Sequence, residues 1–264
     1  MASTWESIAS ECQSALQAKL PAKWLLPSKP GSEVTNVLDI PRTCGLLSPE
    51  QLDITERTAT DLVNDLREGK LTAVQVTEAF CGRAAVAQQC VSNLLLVLLL
   101  SCLIVLIRRQ QVNCLTDYFY EEALERAREL DHIFRTTGKT VGPLHGLPLA
   151  VKEHHSQKSK ANSMGIVACH DKIAEEDSSI IKLFKGAGCI PYVRTCMPQT
   201  GMQLQTVSNL WGRTLNPFNR NFSAGGSSGG DSSLVAMHGS PLSLSTDIGA
   251  FQTPSIHIPP ANDS

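Results

Sequence analysis

Lys152 is the first side chain whose type and position suggest chemistry. It ends an apolar run, Leu147–Val151, that predicts a buried strand. Burial disfavours the ammonium form and lowers the pKa of a lysine, and a neutral amine can accept a proton. The alternative is a lysine that leaves the strand into solvent, and this segment taken alone favours that alternative.

A second segment, Ala224–Gly230, places Ser227 and Ser228 between pairs of glycines. Glycines allow backbone angles that other residues resist, so amides and hydroxyls can approach a ligand closely. The spacing matches neither a Walker-type phosphate loop nor a dinucleotide-binding fingerprint. A flexible linker explains this segment alone equally well.

The third segment, Ser243–Gly249, predicts a strand that ends in a turn. Successive backbone N–H groups in such a turn can point at one spot, which suits an oxyanion hole that stabilises charge in a transition state. Many ordinary strand-to-turn junctions share this pattern, so the segment carries little weight by itself.

In this order and spacing, the three segments resemble the amidase signature family, whose motifs are a strand lysine, G-G-S-S-G-G and T-D-I-G-G-S. The resemblance is to the eukaryotic acetamidase-type branch and covers roughly residues 55–249. It extends to five further segments: Cys81–Ala85, Asn113–Thr116, Asp177–Ser179, Pro198–Gln199 and Leu210–Pro217.

The resemblance implies an α/β fold with a mixed β-sheet flanked by helices on both faces, incomplete at the C-terminal side. Residues 1–54 would form an extended N-terminal arm with one short helix. Residues 55–264 would form a partial amidase domain, interrupted by an apolar insertion at 91–111.

The implied function is hydrolysis of the carbon–nitrogen bond of small carboxamides by a Ser–cis-Ser–Lys mechanism that passes through an acyl-enzyme. Lys152 would be the base and Ser227 the bridging serine. The substrate-binding residues would include Ser227 and a further set, carried over by position: Gly201, Met202, Ile248, Gly249 and Ala250. The backbone N–H groups of the last three would form the oxyanion hole, and the mechanism needs no metal or cofactor.

The nucleophile departs from the family pattern. The family serine stands two residues beyond the glycine that matches Gly249, and here that position holds Phe251, which has no nucleophilic atom. The segment from Ser255 to Pro260 resembles the S-I-R-[IF]-P that follows in the family. Ser255 is therefore the expected nucleophile, displaced by a net insertion of four residues, and we expect impaired catalysis or a non-catalytic relative.

The end of the chain and the apolar insertion are two further departures. Family chains continue well beyond the nucleophile, so the sequence predicts a truncated sheet. The apolar run Leu94–Ile107 would span ~21 Å as a helix, against roughly 30 Å of bilayer hydrocarbon. A membrane-tethered relative is thus a less favoured alternative. Removing residues 91–111 restores the family register, which suggests a translated retained intron.

Local signals predict the elements that position the three segments. The first of three helices ends at Gly69, the second begins at a capping box of Thr72 and Gln75, and the third ends at Gly138. After Val141, strands alternate with helices, which indicates an α/β layered domain.

Composition limits the class of protein. The chain has 23 Lys and Arg against 25 Asp and Glu and shows no extended basic patch, so nothing suggests a nucleic-acid partner. Nine cysteines at irregular spacing predict free thiols in a reducing compartment rather than a disulfide framework or zinc site. We expect a cytoplasmic protein with a small amide substrate; the sequence leaves the oligomeric state open.

Overall fold

A computed structural model describes residues 4–90 and 113–247 of the chain. The helices in these ranges are α1 (Trp5–Ala18), α2 (Ile40–Thr43), α3 (Pro49–Glu56), α4 (Ala59–Arg67), α5 (Ala73–Gln89), α6 (Tyr120–Thr137), α7 (Ser179–Gly186) and α8 (Gly229–Ala236). The strands are β1 (Leu115–Tyr118), β2 (Pro148–Lys152), β3 (Ile190–Thr195), β4 (Val207–Ser208), β5 (Gly212–Arg213) and β6 (Ser243–Leu244).

The larger sheet is mixed and has the order β1–β3–β2–β6. Strand β2 runs parallel to β3 and β6, and β1 runs antiparallel to β3. Because β2 lies between two parallel neighbours, its carboxyl end at Lys152 lies beside the ends of both. This topology confirms the mixed sheet, although β1 was not among the predicted strands.

Side chains alternate along β2 and divide the core between the two faces of the sheet. Leu149 and Val151 pack with Ile181 of α7 on one face. Ala150 belongs to the larger cluster on the other face, where α5 and α6 pack against the sheet. Since successive strand residues point to opposite faces, Lys152 shares the face of Ala150. The expectation of helices on both faces is confirmed.

The N-terminal arm is more ordered than the sequence suggested. Residues 5–56 contain α1, α2 and α3, where one short helix was expected. Trp24 is 2 % exposed, and Leu16, Leu20 and Leu47 also belong to the main core cluster. The prediction of an extended arm was therefore wrong, because its scattered apolar residues pack onto the domain rather than into a core of their own.

The predicted helix signals lie at the boundaries that the structure has. Thr72 and Gln75 form both hydrogen bonds of a capping box at the start of α5. Gly69 and Gly138 follow α4 and α6 with positive φ, the left-handed conformation that glycine adopts without a Cβ penalty. These local signals are strong because each one satisfies backbone groups at a helix end.

The apolar run Leu94–Ile107, considered above as a membrane anchor, lies outside the described ranges. No helix in residues 4–90 and 113–247 is long and apolar enough to cross a membrane. The cysteines in those ranges are all free thiols, and Cys102 lies outside them.

Deleting residues 91–111 should leave the fold intact. The side-chain oxygen of Gln88, near the end of α5, accepts a hydrogen bond of 2.9 Å from the backbone N–H of Leu115 in β1. The two flanks of the segment are therefore already held together, and a shorter connection costs less closure entropy. We expect the deletion variant to melt cooperatively at or above the wild-type Tm in circular dichroism. A non-cooperative melt would show that the domain needs the segment.

Candidate active site

Lys152 is buried at the carboxyl end of β2, with 1 % of its surface exposed. Its Nζ lies 2.7 Å from Oγ of Ser227, to which it donates a hydrogen bond. The interpretation of this lysine as a solvent-directed side chain was thus wrong. The reason is topological: β2 lies inside the sheet, and the loop before α8 covers the end of the strand on the side of Lys152.

The third predicted segment completes the surroundings of the amine. Lys152 Nζ donates to the hydroxyl of Thr246 at 2.9 Å and to its backbone carbonyl at 3.2 Å. The Ser228 hydroxyl donates to the same carbonyl at 2.7 Å and accepts from the Thr246 N–H at 3.3 Å. The three segments, far apart in the sequence, therefore meet around one buried amine.

The environment of Lys152 makes its neutral form more accessible than that of an ordinary lysine. Burial lowers its pKa from the usual 10.5 to about 8, and the negative charges of Asp231 and Asp247 only partly oppose this shift. A lysine that titrates near neutral pH can both accept and return a proton during a reaction. The predicted depression of the lysine pKa is consistent with this environment.

The glycines of the Ser227 loop allow the loop to pack closely against neighbouring backbone. A Cβ on Gly230 would lie 2.3 Å from the backbone nitrogen of Cys196 and 2.6 Å from the carbonyl oxygen of Cys114. Neither atom can move without shifting the ends of β1 and β3. The peptide bond between Gly226 and Ser227 is cis. The loop is therefore a packed structure, not the flexible linker that remained possible from sequence.

Asp231, in the first turn of α8, is a buried residue of this region that the sequence analysis missed. Its Oδ1 accepts hydrogen bonds from the hydroxyls of Thr195 (2.8 Å) and Ser243. Burial raises its pKa to about 6, although these bonds and the charge of Lys152 act in the opposite direction. An acidic residue directly after a Gly/Ser loop was the signal available in the sequence.

Glu153 follows Lys152 and is also buried, with 2 % of its surface exposed. It accepts a hydrogen bond from the Ser163 hydroxyl and another, of 3.2 Å, from the Ser163 N–H. Burial raises the pKa of this carboxyl, and the bonds from Ser163 counter that effect. Glu153 thus anchors the loop that leaves β2 and does not contact the Lys152 amine.

The other predicted site residues divide into two groups. Gly201 and Met202 lie at the end of a short helical turn, and Met202 is 71 % exposed. The chain that follows packs on the serine loop, since a Cβ on Gly226 would lie 2.4 Å from the carbonyl oxygen of Gln203. The remaining predicted residues lie outside the described ranges: Ile248, Gly249, Ala250 and Ser255.

A metal centre finds no support in the described part of the chain. Residues 4–90 and 113–247 contain no group of three or more His, Cys, Asp or Glu side chains placed to hold an ion.

Comparison with known proteins connects this arrangement to a family. The family model described as Amidase matches residues 97–263. Amidase FG08078 of Gibberella zeae is 43% identical over 258 residues, which cover 98% of this chain and 43% of that protein. An acetamidase of Emericella nidulans is 39% identical over 261 residues, covering 99% of this chain and 43% of that protein. The chain thus spans less than half the length of these relatives.

The solved structures agree with this relationship. A fatty acid amide hydrolase superposes with a TM-score of 0.80 at 32% identity, covering 92% of this chain and 40% of that one. Peptide amidase from Stenotrophomonas maltophilia, at 23% identity and a TM-score of 0.56 over 68% of this chain and 34% of that one, shows the fold alone. Lys152 and the Gly/Ser loop, brought together at one end of the sheet, are thus part of a protein that belongs to the amidase family.

Proposed function

We propose that this protein hydrolyses the carbon–nitrogen bond of small carboxamides, with Lys152 and Ser227 as a proton relay. The observation that carries this proposal is the 2.7 Å contact between the Lys152 amine and the Ser227 hydroxyl at a buried site. A lysine with a pKa of about 8 and a serine as its neighbour can act together as a general base.

The relay would work in two stages. In the first, neutral Lys152 takes the proton of Ser227 while Ser227 takes the proton of a nucleophilic serine. The nucleophile oxygen bonds to the amide carbon, and the relay returns a proton to the amine that leaves. In the second, water gives a proton to the relay as its oxygen bonds to the acyl carbon, and the ester bond to the nucleophilic serine breaks as the relay returns the proton to that serine and the acid leaves. The backbone N–H groups of Ile248, Gly249 and Ala250 would stabilise the oxyanion in both stages.

The identity of the nucleophile limits the expected rate. Phe251 occupies the position of the family serine, so we propose Ser255 as the nucleophile. A misplacement of ~1 Å can cost about a hundredfold in rate, and four extra residues precede Ser255. Slow turnover is therefore the expectation, and Phe251 also favours a second candidate function, that of a non-catalytic amidase relative.

The names of two relatives and the surroundings of Ser227 support a substrate class. Two relatives of this chain carry the name acetamidase, which suggests small aliphatic or aryl amides. Gly201 and Met202 would contact the substrate, because the chain just beyond them packs against Gly226 beside the relay serine. Ammonia release from acetamide and benzamide, compared between wild type and the Lys152→Met and Ser227→Ala variants, tests the proposal. Turnover that persists in both variants would refute it.

The pH dependence of the reaction should report the base. Burial lowers the pKa of Lys152 to about 8, and the amine accepts a proton only in its neutral form. We therefore expect kcat/KM to rise with pH through about 8 and to level off above it. The measurement is ammonia release from acetamide between pH 6 and pH 10. A rate that is independent of pH across this window would exclude Lys152 as the base.

A further inference from the structure

We propose that Asp231 is a positioning residue that holds the strands on either side of Lys152 and acts as the buried counter-charge of its amine. The inference deepens the proposed function and rests on it only for the consequence in catalysis.

The hydrogen bonds of Asp231 join the two neighbours of the lysine strand. Thr195, which donates to its Oδ1, is the residue of β3 paired with Lys152. Ser243, which donates to the same oxygen, is the residue of β6 paired with Ala150 of β2. A single carboxyl oxygen on α8 therefore joins β3 and β6, the two neighbours of β2, within two residues of Lys152.

The second carboxyl oxygen of Asp231 makes a compensating positive charge important. Oδ2 is buried and has no hydrogen-bond partner in residues 4–90 and 113–247. A buried carboxylate with an unpaired oxygen is costly unless an opposite charge compensates it. Lys152 directs its own hydrogen bonds at Ser227 and Thr246, so Asp231 acts on it through space. The interaction is mutual: each charge favours the ionised form of the other.

Several other titratable groups act on this pair. Asp247 raises the pKa of Lys152, as Asp231 does. His154 and His155 follow β2, and burial and the charge of Lys152 both lower their pKa values. Two buried thiols interact with Asp231: Cys196, just after β3, and Cys114, just before β1; burial raises the pKa of each far above neutral. Near neutral pH, Asp231 is thus the buried carboxylate of α8 whose negative charge affects the protonation of Lys152.

Substitution can separate the charge of Asp231 from its hydrogen bonds. The carbonyl oxygen of an asparagine can still accept from Thr195 and Ser243, so Asp231→Asn removes only the charge. Thr195→Val and Ser243→Ala each remove one bond and keep the charge, and they are the matched controls. The readout is the titration of Lys152 Nζ by ¹⁵N NMR in folded, ¹⁵N-labelled protein, which requires no turnover.

We expect Asp231→Asn to raise the ratio of neutral to protonated Lys152 about tenfold at a fixed pH, a size typical of a charge several ångströms away in a protein interior. The two control variants should leave the titration midpoint unchanged. An unchanged midpoint in Asp231→Asn, or an equal shift in Ser243→Ala, would overturn the proposal.

A reciprocal measurement covers the case in which Asp231→Asn does not fold. Removing the ammonium by Lys152→Met should move the titration of the Asp231 carboxyl, followed by ¹³C NMR, to higher pH. A midpoint that stays in place would overturn the proposal. Because neither titration measures hydrolysis, failure of the amidase proposal would appear as absent turnover with both shifts intact, and failure of the Asp231 proposal as absent shifts.

Discussion

Combining Ala250→Gly with Phe251→Ser should raise covalent labelling by a fluorophosphonate probe by at least about a hundredfold. The double variant rebuilds T-D-I-G-G-S, with a serine two residues beyond Gly249, where the family has its nucleophile. Lys152 already donates a hydrogen bond to Ser227, so under the proposed relay a serine at position 251 supplies the hydroxyl that the sequence lacks there. Losses of this size are typical of a misplaced reacting group, and a gain of similar size should follow its repair.

Two controls make this result specific. Ala250→Gly with Phe251→Ala relieves the same bulk without adding a nucleophile, and we expect no gain from it. Adding Lys152→Met to the repaired variant should abolish the gain, because the serine would lose its base. Mass spectrometry of the labelled peptide identifies the residue modified. Complete labelling of Ser255 in the wild type, as fast as in the repaired variant, would show that the displaced serine needs no repair.

Arg83→Met should lower the free energy of unfolding by about 2–4 kcal/mol, because buried hydrogen-bond acceptors lose a charged donor. Arg83 lies on α5 with 1 % of its surface exposed and pairs with Glu56 of α3. It also donates to the Thr55 hydroxyl at 2.7 Å and to the carbonyl of Met237, after α8, at 2.8 Å. Methionine fills most of the volume but cannot donate to the Thr55 hydroxyl or the Met237 carbonyl, whereas Glu56 keeps its pair with Arg42.

Arg42→Met is the matched control, because Arg42 pairs with the same carboxyl of Glu56 from a side chain that is 51% exposed. Exposed pairs contribute about 0–1 kcal/mol, so the control should cost far less in urea unfolding. Equal losses in both variants would contradict the expectation that the buried hydrogen bonds of Arg83 stabilise the fold more than the exposed ion pair of Arg42.

The same cluster should make stability depend on acid pH. Burial raises the pKa of Glu56, but hydrogen bonds from Arg42 and Arg83 outweigh it and hold the pKa at about 2. A pKa below its unfolded value of about 4.5 means that the stabilisation is complete above pH 4.5 and is lost as the pH falls towards 2. This loss should be smaller in Arg83→Met, which lacks the hydrogen bond and the charge of Arg83 but keeps those of Arg42.

Local sequence signals predicted much of the fold. The capping box at Thr72 and the stop at Gly138 were correct because hydrogen bonds within a few residues determine them. The prediction of an extended N-terminal arm was wrong because long-range packing determines the structure of this segment. The burial of Trp24 against α5 and α6 shows this packing. Strand β1 was missed for the same reason. Its four residues are too few to show a clear alternating pattern in the sequence, and its pairing with β3 defines it as a strand.

The residues of the candidate site that lie in a sequence motif could be predicted. Those whose role depends only on burial in the fold could not. Lys152 and Ser227 lie in family motifs, and the structure brings them into contact. The segment around Lys152, taken alone, favoured a solvent-exposed lysine. That interpretation was wrong because the sequence of a strand does not show what covers the end of the strand. Asp231 was missed because its role depends on Thr195 and Ser243, which come from two other strands.

The titration of the Lys152 amine in the wild-type protein decides whether the proposed relay has a base. In ¹⁵N NMR of lysine-labelled protein, with Lys152→Met used to assign the resonance, we predict a midpoint near the pKa of about 8 that burial imposes. A midpoint at or above the ordinary lysine value of 10.5 would mean that the amine stays charged at working pH, and the proposed relay through Ser227 would have no base.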